Sequence, residues 1–135
     1  MATSKVTYNG LLRTTAVHLQ SQTQIISDAP VDNQGKGEAF SPTDLLATSL
    51  ASCMFTIMGI TGKTHNIEID NATAEVTKIM ATEPRRVSEI HITFNFPNKD
   101  NYSEKDKKIL ENAAINCPVY HSLHPNIEKV IDFGW

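Results

Sequence analysis

The chain has 135 residues, 40% of them apolar and 20% charged, which is the mixture of a globular protein of one domain over residues 1–135. Twelve basic and fifteen acidic residues give a net charge of −3, and the lysines are scattered, so nucleic acid is not an expected partner. Residues 1–6 lack the apolar stretch of a secretory signal, which predicts a cytoplasmic protein whose two cysteines are free or redox-cycling.

The first forty residues predict three short strands and a long loop. The first strand ends at Asn9-Gly10, a dipeptide suited to a two-residue hairpin turn, and the second covers residues 15–19. A third strand is expected around Ile25 and Ile26. Residues 29–40 have no apolar periodicity and predict a loop of a length that is often functional.

A long helix is predicted from the segment Ser41-Pro42-Thr43-Asp44, with Ser as N-cap, Pro at the first helical position and an acid at the third. Residues 45–62 are uncharged and apolar nearly all round, and Gly62 is a natural stop. The run is at the lower limit for a membrane span, but its cap and small polar residues favour a buried core helix and no membrane. Such a helix must be covered on all sides, by a sheet and by a partner subunit, so the pattern predicts a homodimer.

The second half of the chain predicts further strands and a second helix. Residues 65–80 and 87–97 are expected to form strands, and the later one places alternate apolar residues on one face. A capping box at Ser103 opens an amphipathic helix whose apolar stripe ends at Cys117. A turn or short helix over 119–123 and a strand over 127–133 complete an α+β fold, with antiparallel strands packed on the long central helix.

Two cysteines are the candidate reactive groups. Cys53 lies in the middle of the apolar helix and Cys117 at the end of the second helix. From spacing alone, a buried structural thiol is the simpler interpretation of each, because free cysteine is among the most buried residue types.

Three segments resemble the OsmC/Ohr family. The string Phe40-Ser41-Pro42-Thr43-Asp44-Leu45-Leu46-Ala47-Thr48-Ser49-Leu50-Ala51-Ser52-Cys53 is similar to the start of that family's central helix, which carries its reactive thiol. Asn116-Cys117-Pro118-Val119 resembles the Cys-Pro segment of its second thiol, and Glu89-Ile90-His91-Ile92-Thr93-Phe94 is similar to the strand between them. The resemblance covers most of the chain and implies an OsmC-like fold, of a more distant branch, in an intertwined homodimer.

The resemblance also implies an activity. It is that of an antioxidant oxidoreductase, a cysteine-based peroxidase that reduces organic hydroperoxides to alcohols in the oxidative stress response, without cofactor or metal. The Cys53 thiolate would attack the hydroperoxide, and the resulting sulfenic acid would condense with Cys117 into a disulfide. An external dithiol would then reopen the disulfide by exchange, and a lipoyl-type dithiol is one candidate.

A thiol in apolar surroundings needs a nearby cation to ionise. In the family an arginine from the N-terminal strands supplies it, held by a carboxylate near the start of the central helix. By chain order these two residues correspond to Arg13 and Asp44. In the best-characterised branch the carboxylate lies ten residues before the reactive cysteine, where this chain has Thr43. Asp44 would be about 13 Å from Cys53 along a helix, so it could not touch the thiol and could only orient the arginine. The alternative role of Asp44 is that of an N-terminal capping residue. The alternative for Arg13 is that it is a solvated strand residue without a catalytic role.

The sequence is also compatible with two functions other than that of a peroxidase. Cys117, His121 and His124 form a thiolate and imidazole set that is compatible with zinc, which predicts a metal-binding protein as one alternative. A non-catalytic OsmC-like protein that binds an apolar small molecule at its dimer interface is another. If the chain is a peroxidase, the apolar residues near Cys53 favour bulky organic hydroperoxides over hydrogen peroxide, the expected lining being Leu45, Leu46, Met54 and Phe55.

Overall fold

The computed structural model describes all residues from 1 to 135, which divide into two compact units, residues 1–46 and residues 47–135. The first unit is a three-stranded antiparallel sheet in the order β1-β2-β3. Its strands are β1 (Ser4–Gly10), β2 (Arg13–His18) and β3 (Gln24–Asp28). The three strands expected from the sequence are therefore confirmed, while one OsmC-like domain over the whole chain stays a prediction.

The hairpin between β1 and β2 turns two residues later than the sequence predicted. Gly10 is paired with Arg13, and the turn consists of Leu11 and Leu12, with φ of 55° and 62°. Two successive positive φ values produce the twist that a two-residue hairpin needs. The Asn9-Gly10 dipeptide instead lies at the irregular end of β1, where the register shifts between Tyr8 and Gly10.

No apolar side chain of residues 1–46 is buried: the three buried side chains are Ser27, Asp28 and Ser41. The predicted loop, residues 29–40, is present and contains one 3₁₀ turn, Val31–Asn33. Its end is fixed by the backbone amide of Asp28, which donates to the carbonyl of Phe40 at 3.0 Å. This first unit is thus organised by polar contacts rather than by a core of its own.

Helix α1 (Pro42–His65) begins where the sequence placed it. The Ser41 amide donates to the Asp44 carboxylate at 2.9 Å, and the Asp44 amide donates to the Ser41 hydroxyl at 3.0 Å, which is a capping box. One side of the helix is buried, and on the other side Ile60 is 61% exposed. The single chain therefore covers one side of α1 only, whereas the sequence predicted a helix covered on all sides.

Gly62 does not stop α1, which continues to His65. The returning chain approaches the helix at this point, since the Ile67 amide donates to the Gly62 carbonyl at 2.7 Å. A Cβ on Gly62 would lie 2.4 Å from the carbonyl oxygen of Ile67, so the glycine is required for close approach. By length and composition α1 could cross a membrane, a criterion that the core helix of a soluble protein also meets.

The second unit contains a sheet in the order β4-β5-β6. Strands β4 (Thr73–Ala81) and β5 (Arg86–Asn95) are antiparallel, whereas β6 (Glu128–Asp132) is parallel to β5. The expectation of antiparallel strands throughout is wrong for β6, because two helices intervene and return the chain in the direction of β5. Strand β4 also starts later than the predicted residue 65, which α1 still occupies.

The hydrophobic core lies within residues 47–135. Alternate residues of β5 lie in it as predicted, with Ile90, Ile92 and Phe94 at most 2% exposed. Helix α2 (Glu104–Ile115) begins at the predicted capping box and buries Leu110 and Ala114, and the short helix α3 (Pro118–Ser122) follows it. The α+β class is confirmed.

Candidate active site: two adjacent thiols

Cys53 lies in the middle of α1, between the buried side of the helix and its exposed side. Its neighbours Ala51 and Met54 are buried, whereas Cys53 is partly exposed and packs against the edge of the core. Met54 is completely buried, so the expectation that it lines a substrate site is wrong. Cys53 is thus a free cysteine in a partly exposed position.

Cys117 lies at the junction of α2 and α3 and is 0% exposed. It is the N-cap of α3, and the Tyr120 backbone amide donates to its sulfur at 3.3 Å. Burial raises the pKa of the Cys117 thiol, an effect that the Tyr120 amide opposes and the Cys53 thiol reinforces. Cys117 is therefore held protonated over a wider pH range than an ordinary thiol.

The structure brings Cys53 and Cys117 together. Cys53 is a neighbour of Cys117, and its thiol contributes to the raised pKa of the Cys117 thiol. Both cysteines are reduced. Two neighbouring free cysteines, one partly exposed and one buried, are an arrangement in which oxidation of the first can be followed by disulfide formation with the second.

Arg13 is held by two carboxylates. Its Nε and Nη2 donate to Oδ1 and Oδ2 of Asp28 at 2.7 and 2.8 Å, and Nη2 also donates to Oε1 of Glu38 at 3.2 Å. Asp28 is 1% exposed and also accepts from the Glu38 amide at 3.2 Å. The Arg13 guanidinium lowers the pKa of Asp28, and the Asp28 carboxylate in turn raises the pKa of Arg13.

The expectation that Asp44 orients Arg13 needs correction. The carboxylates on the guanidinium are those of Asp28 and Glu38, while the Asp44 carboxylate accepts from the Ser41 amide in the capping box. The physical reason is strand register: β2 and β3 are antiparallel and Arg13 is paired directly with Asp28. Asp28 and Glu38 were not among the residues predicted from the sequence, although an acid at the end of the third predicted strand was the available signal for Asp28.

Of the predicted site residues, Cys53 and Cys117 are thus neighbours within residues 47–135. Within residues 1–46, the guanidinium of Arg13 is bound by the carboxylates of Asp28 and Glu38. The zinc alternative finds no support, because Cys117, His121 and His124 do not form a group that could hold a metal ion. His124 instead accepts from the Asn126 amide through Nδ1 at 3.0 Å.

Comparison with known proteins gives the family. The family described as OsmC-like protein matches residues 35–131. A crystal structure from Psychrobacter arcticus 273-4, provisionally named an osmotic stress induced and detoxification response protein, is 61% identical, with a TM-score of 0.94 over 98% of this chain and 95% of its own. None of the curated proteins compared matches.

Two more distant structures share the fold. An OsmC-like protein from Mycoplasma pneumoniae is 21% identical, with a TM-score of 0.77 over 96% of this chain and 92% of its own. The organic hydroperoxide resistance protein OhrB of Bacillus subtilis is 19% identical, with a TM-score of 0.65 over 97% of both chains.

The fold and the two neighbouring cysteines describe a small α+β protein with one cysteine on its central helix and the other between α2 and α3. The chain belongs to the OsmC-like family, whose structural relatives include proteins named for organic hydroperoxide resistance.

Proposed function

We propose that this chain is a thiol peroxidase that reduces organic hydroperoxides to alcohols in defence against oxidative stress. The observation that carries the proposal is that the partly exposed Cys53 is a neighbour of the buried Cys117. A peroxidase of this type needs one sulfur that meets the hydroperoxide and a second within reach of the first.

The reaction proceeds in three steps. The Cys53 thiolate attacks the distal oxygen of the hydroperoxide, the O–O bond breaks, and the alcohol leaves with a proton. The Cys53 sulfenic acid then loses water as the Cys117 sulfur attacks it, which gives a disulfide. An external dithiol returns two electrons and restores both thiols, and a lipoyl-type dithiol in a reducing cytoplasm is one candidate.

The two cysteines differ in exposure, as the roles of a peroxidatic and a resolving sulfur require. Cys53 is partly exposed and can meet a substrate, whereas Cys117 is enclosed. The pKa of Cys117 is raised by burial, and nucleophilic attack on a peroxide requires the thiolate. These properties favour Cys53 as the peroxidatic sulfur and Cys117 as the resolving sulfur.

Arg13 is the proposed cation that favours the thiolate of Cys53. Its guanidinium is fixed by Asp28 and Glu38 rather than free in solution, which makes it a pre-oriented charge. Asp28 is therefore a positioning residue in this proposal, in the role that the sequence had given to Asp44.

Apolar residues beside Cys53 support organic hydroperoxides as substrates. Ile57 and Ile60 follow Cys53 by one and two helical turns, so they lie on the same side of α1. Ile60 is largely exposed and Ile57 partly so, which gives this side of the helix an apolar character. Hydrogen peroxide would gain little from such a surface.

A homodimer is part of the proposal. Residues 1–46 contain no buried apolar side chain, and several strand residues of the first sheet are exposed: Val6, Tyr8, Ile25 and Ile26. A sheet normally buries at least one apolar face against another layer. A second copy of the chain is the partner that the family resemblance implies.

The test is turnover of cumene hydroperoxide by the full-length protein with a dithiol reductant. Cys53→Ser should have no activity, and Cys117→Ser should consume one equivalent per chain and then stall. Ser52→Ala, at an exposed position of the same helix, is the matched control and should keep the native rate. Native turnover by Cys53→Ser would overturn the proposal.

A further inference from the structure

We propose that the external dithiol attacks the Cys53 sulfur of the Cys53–Cys117 disulfide, so that Cys117 is the sulfur that leaves. This inference rests on the proposed function and adds the direction of the reductive step. Thiol–disulfide exchange depends on access to the attacked sulfur and on the stability of the leaving thiolate.

Access distinguishes the two sulfurs. Cys117 is 0% exposed, at the junction of α2 and α3, whereas Cys53 is partly exposed on α1. An external thiol reaches Cys117 only after the polypeptide around the α2–α3 junction opens, but it reaches Cys53 in the folded protein. The cost of that opening is added to every attack on Cys117.

The environment of Cys117 has two opposed effects on its departure from the disulfide. The Tyr120 amide donates to its sulfur at 3.3 Å and stabilises the negative charge that develops as the S–S bond breaks. Burial opposes this effect and raises the pKa of Cys117 overall, which slows departure. Access decides the direction, because a slow leaving group still reacts in the folded protein, whereas an enclosed sulfur is attacked only after the surrounding segment opens.

The exchange at Cys53 proceeds in two steps. The reductant thiolate forms a new S–S bond with Cys53, the old bond breaks, and the electron pair goes to Cys117, which takes up a proton. The second thiol of the dithiol then attacks the reductant's own sulfur and releases Cys53 as thiolate, so two electrons pass to the protein.

The experiment locates the mixed disulfide. Full-length protein is oxidised with diamide, which needs no peroxidase activity, then mixed briefly with limiting glutathione, quenched in acid and alkylated with N-ethylmaleimide. Trypsin places Cys53 in the peptide of residues 37–63 and Cys117 in that of residues 109–129, so mass spectrometry distinguishes the two products. We expect at least about tenfold more glutathione on Cys53 than on Cys117.

Two comparisons make the result specific to the fold. In denaturant both sulfurs are equally accessible, so the preference should disappear. Pro118→Gly loosens the segment that encloses Cys117 and should increase the adduct there. Glutathione mainly on Cys117 in the native protein, or a preference that persists in denaturant, would overturn this inference while leaving the peroxidase proposal intact. If diamide yields no Cys53–Cys117 disulfide, both proposals fail.

Discussion

The guanidinium of Arg13 and the carboxylate of Asp28 are joined by two parallel hydrogen bonds of 2.7 and 2.8 Å between directly paired residues of β2 and β3. Asp28 is almost fully enclosed, so the arginine is the group that compensates its charge. The pair fixes the position of a cation that the proposed chemistry needs. The two residues can be tested separately, Arg13 for the charge that it supplies and Asp28 for the orientation of that charge.

Arg13→Gln is expected to lower the rate of hydroperoxide reduction by about tenfold or more, because the charge that favours the thiolate is lost. Arg13→Lys should retain part of the rate, since lysine supplies the charge but not the bidentate geometry. The measurement is peroxide consumption by reduced protein under single-turnover conditions. Arg86→Gln is the control, because the Arg86 guanidinium donates to the backbone carbonyls of Thr82 and Pro84.

Arg13→Gln also leaves Asp28 buried without its partner, so a stability loss must be separated from a catalytic one. The double variant Arg13→Gln/Asp28→Asn removes both charges and should recover stability, measured by urea unfolding, but not activity. A native rate in either Arg13→Gln protein would show that Arg13 has no part in the reaction.

Stability should fall at acid pH through Asp28. Arg13 lowers the pKa of Asp28 in the folded protein below its unfolded value of about 3.9. The resulting stabilisation is present above the unfolded value and is lost as the pH falls through the folded value. In Asp28→Asn the urea midpoint should therefore depend less on pH in this range than in the native protein. Asp100→Asn, at an exposed position, should match the native slope, and equal slopes for all three proteins would contradict the prediction.

Alkaline pH should destabilise the reduced protein through Cys117. Burial raises the folded pKa of this thiol above its unfolded value of about 8.5. The stabilisation is complete below the unfolded value and is lost as the pH rises through the folded one, because the unfolded chain releases its proton first. The urea midpoint, measured with a phosphine reductant, should fall from about pH 8 upward, and less steeply in Cys117→Ser. If Cys117→Ser follows the native curve, the thiol is not the group responsible.

The native protein should be a dimer with twice the 14.9 kDa mass of the chain in light scattering. Successive residues of a strand point to opposite faces, so Ile25→Glu/Ile26→Glu places a charge on each face of the first sheet and should yield a monomer. The matched control Thr23→Glu/Gln24→Glu adds the same charge where polar side chains are already exposed and should remain dimeric. A monomeric native protein would remove the dimer from the proposal.

Local signals in the sequence predicted much of the fold. The start of α1, the capping box of α2 and the buried face of β5 all depend on residues within one or two turns or one strand. The parallel direction of β6 and the shift of the first turn to Leu11-Leu12 were not predicted. The direction of β6 depends on pairing with the distant strand β5, and the turn depends on the register between β1 and β2. Periodicity reports neither.

The same distinction applies to the candidate site. The resemblance suggested Cys53, Cys117 and Arg13, but the carboxylate chosen by chain order was Asp44, and the structure places Asp28 and Glu38 on the arginine. Cross-strand register determines that contact, and a single sequence does not specify the register. The proximity of Cys53 and Cys117 likewise depends on how α2 returns to α1, which spacing could not show.

The most direct test of the peroxidase proposal is the loss of thiols when one equivalent of cumene hydroperoxide is added to fully reduced protein. The proposal predicts that both thiols of each chain disappear, and that mass spectrometry finds residues 37–63 linked to residues 109–129 of the same chain by a disulfide. Retention of both thiols while the hydroperoxide remains unconsumed would contradict it.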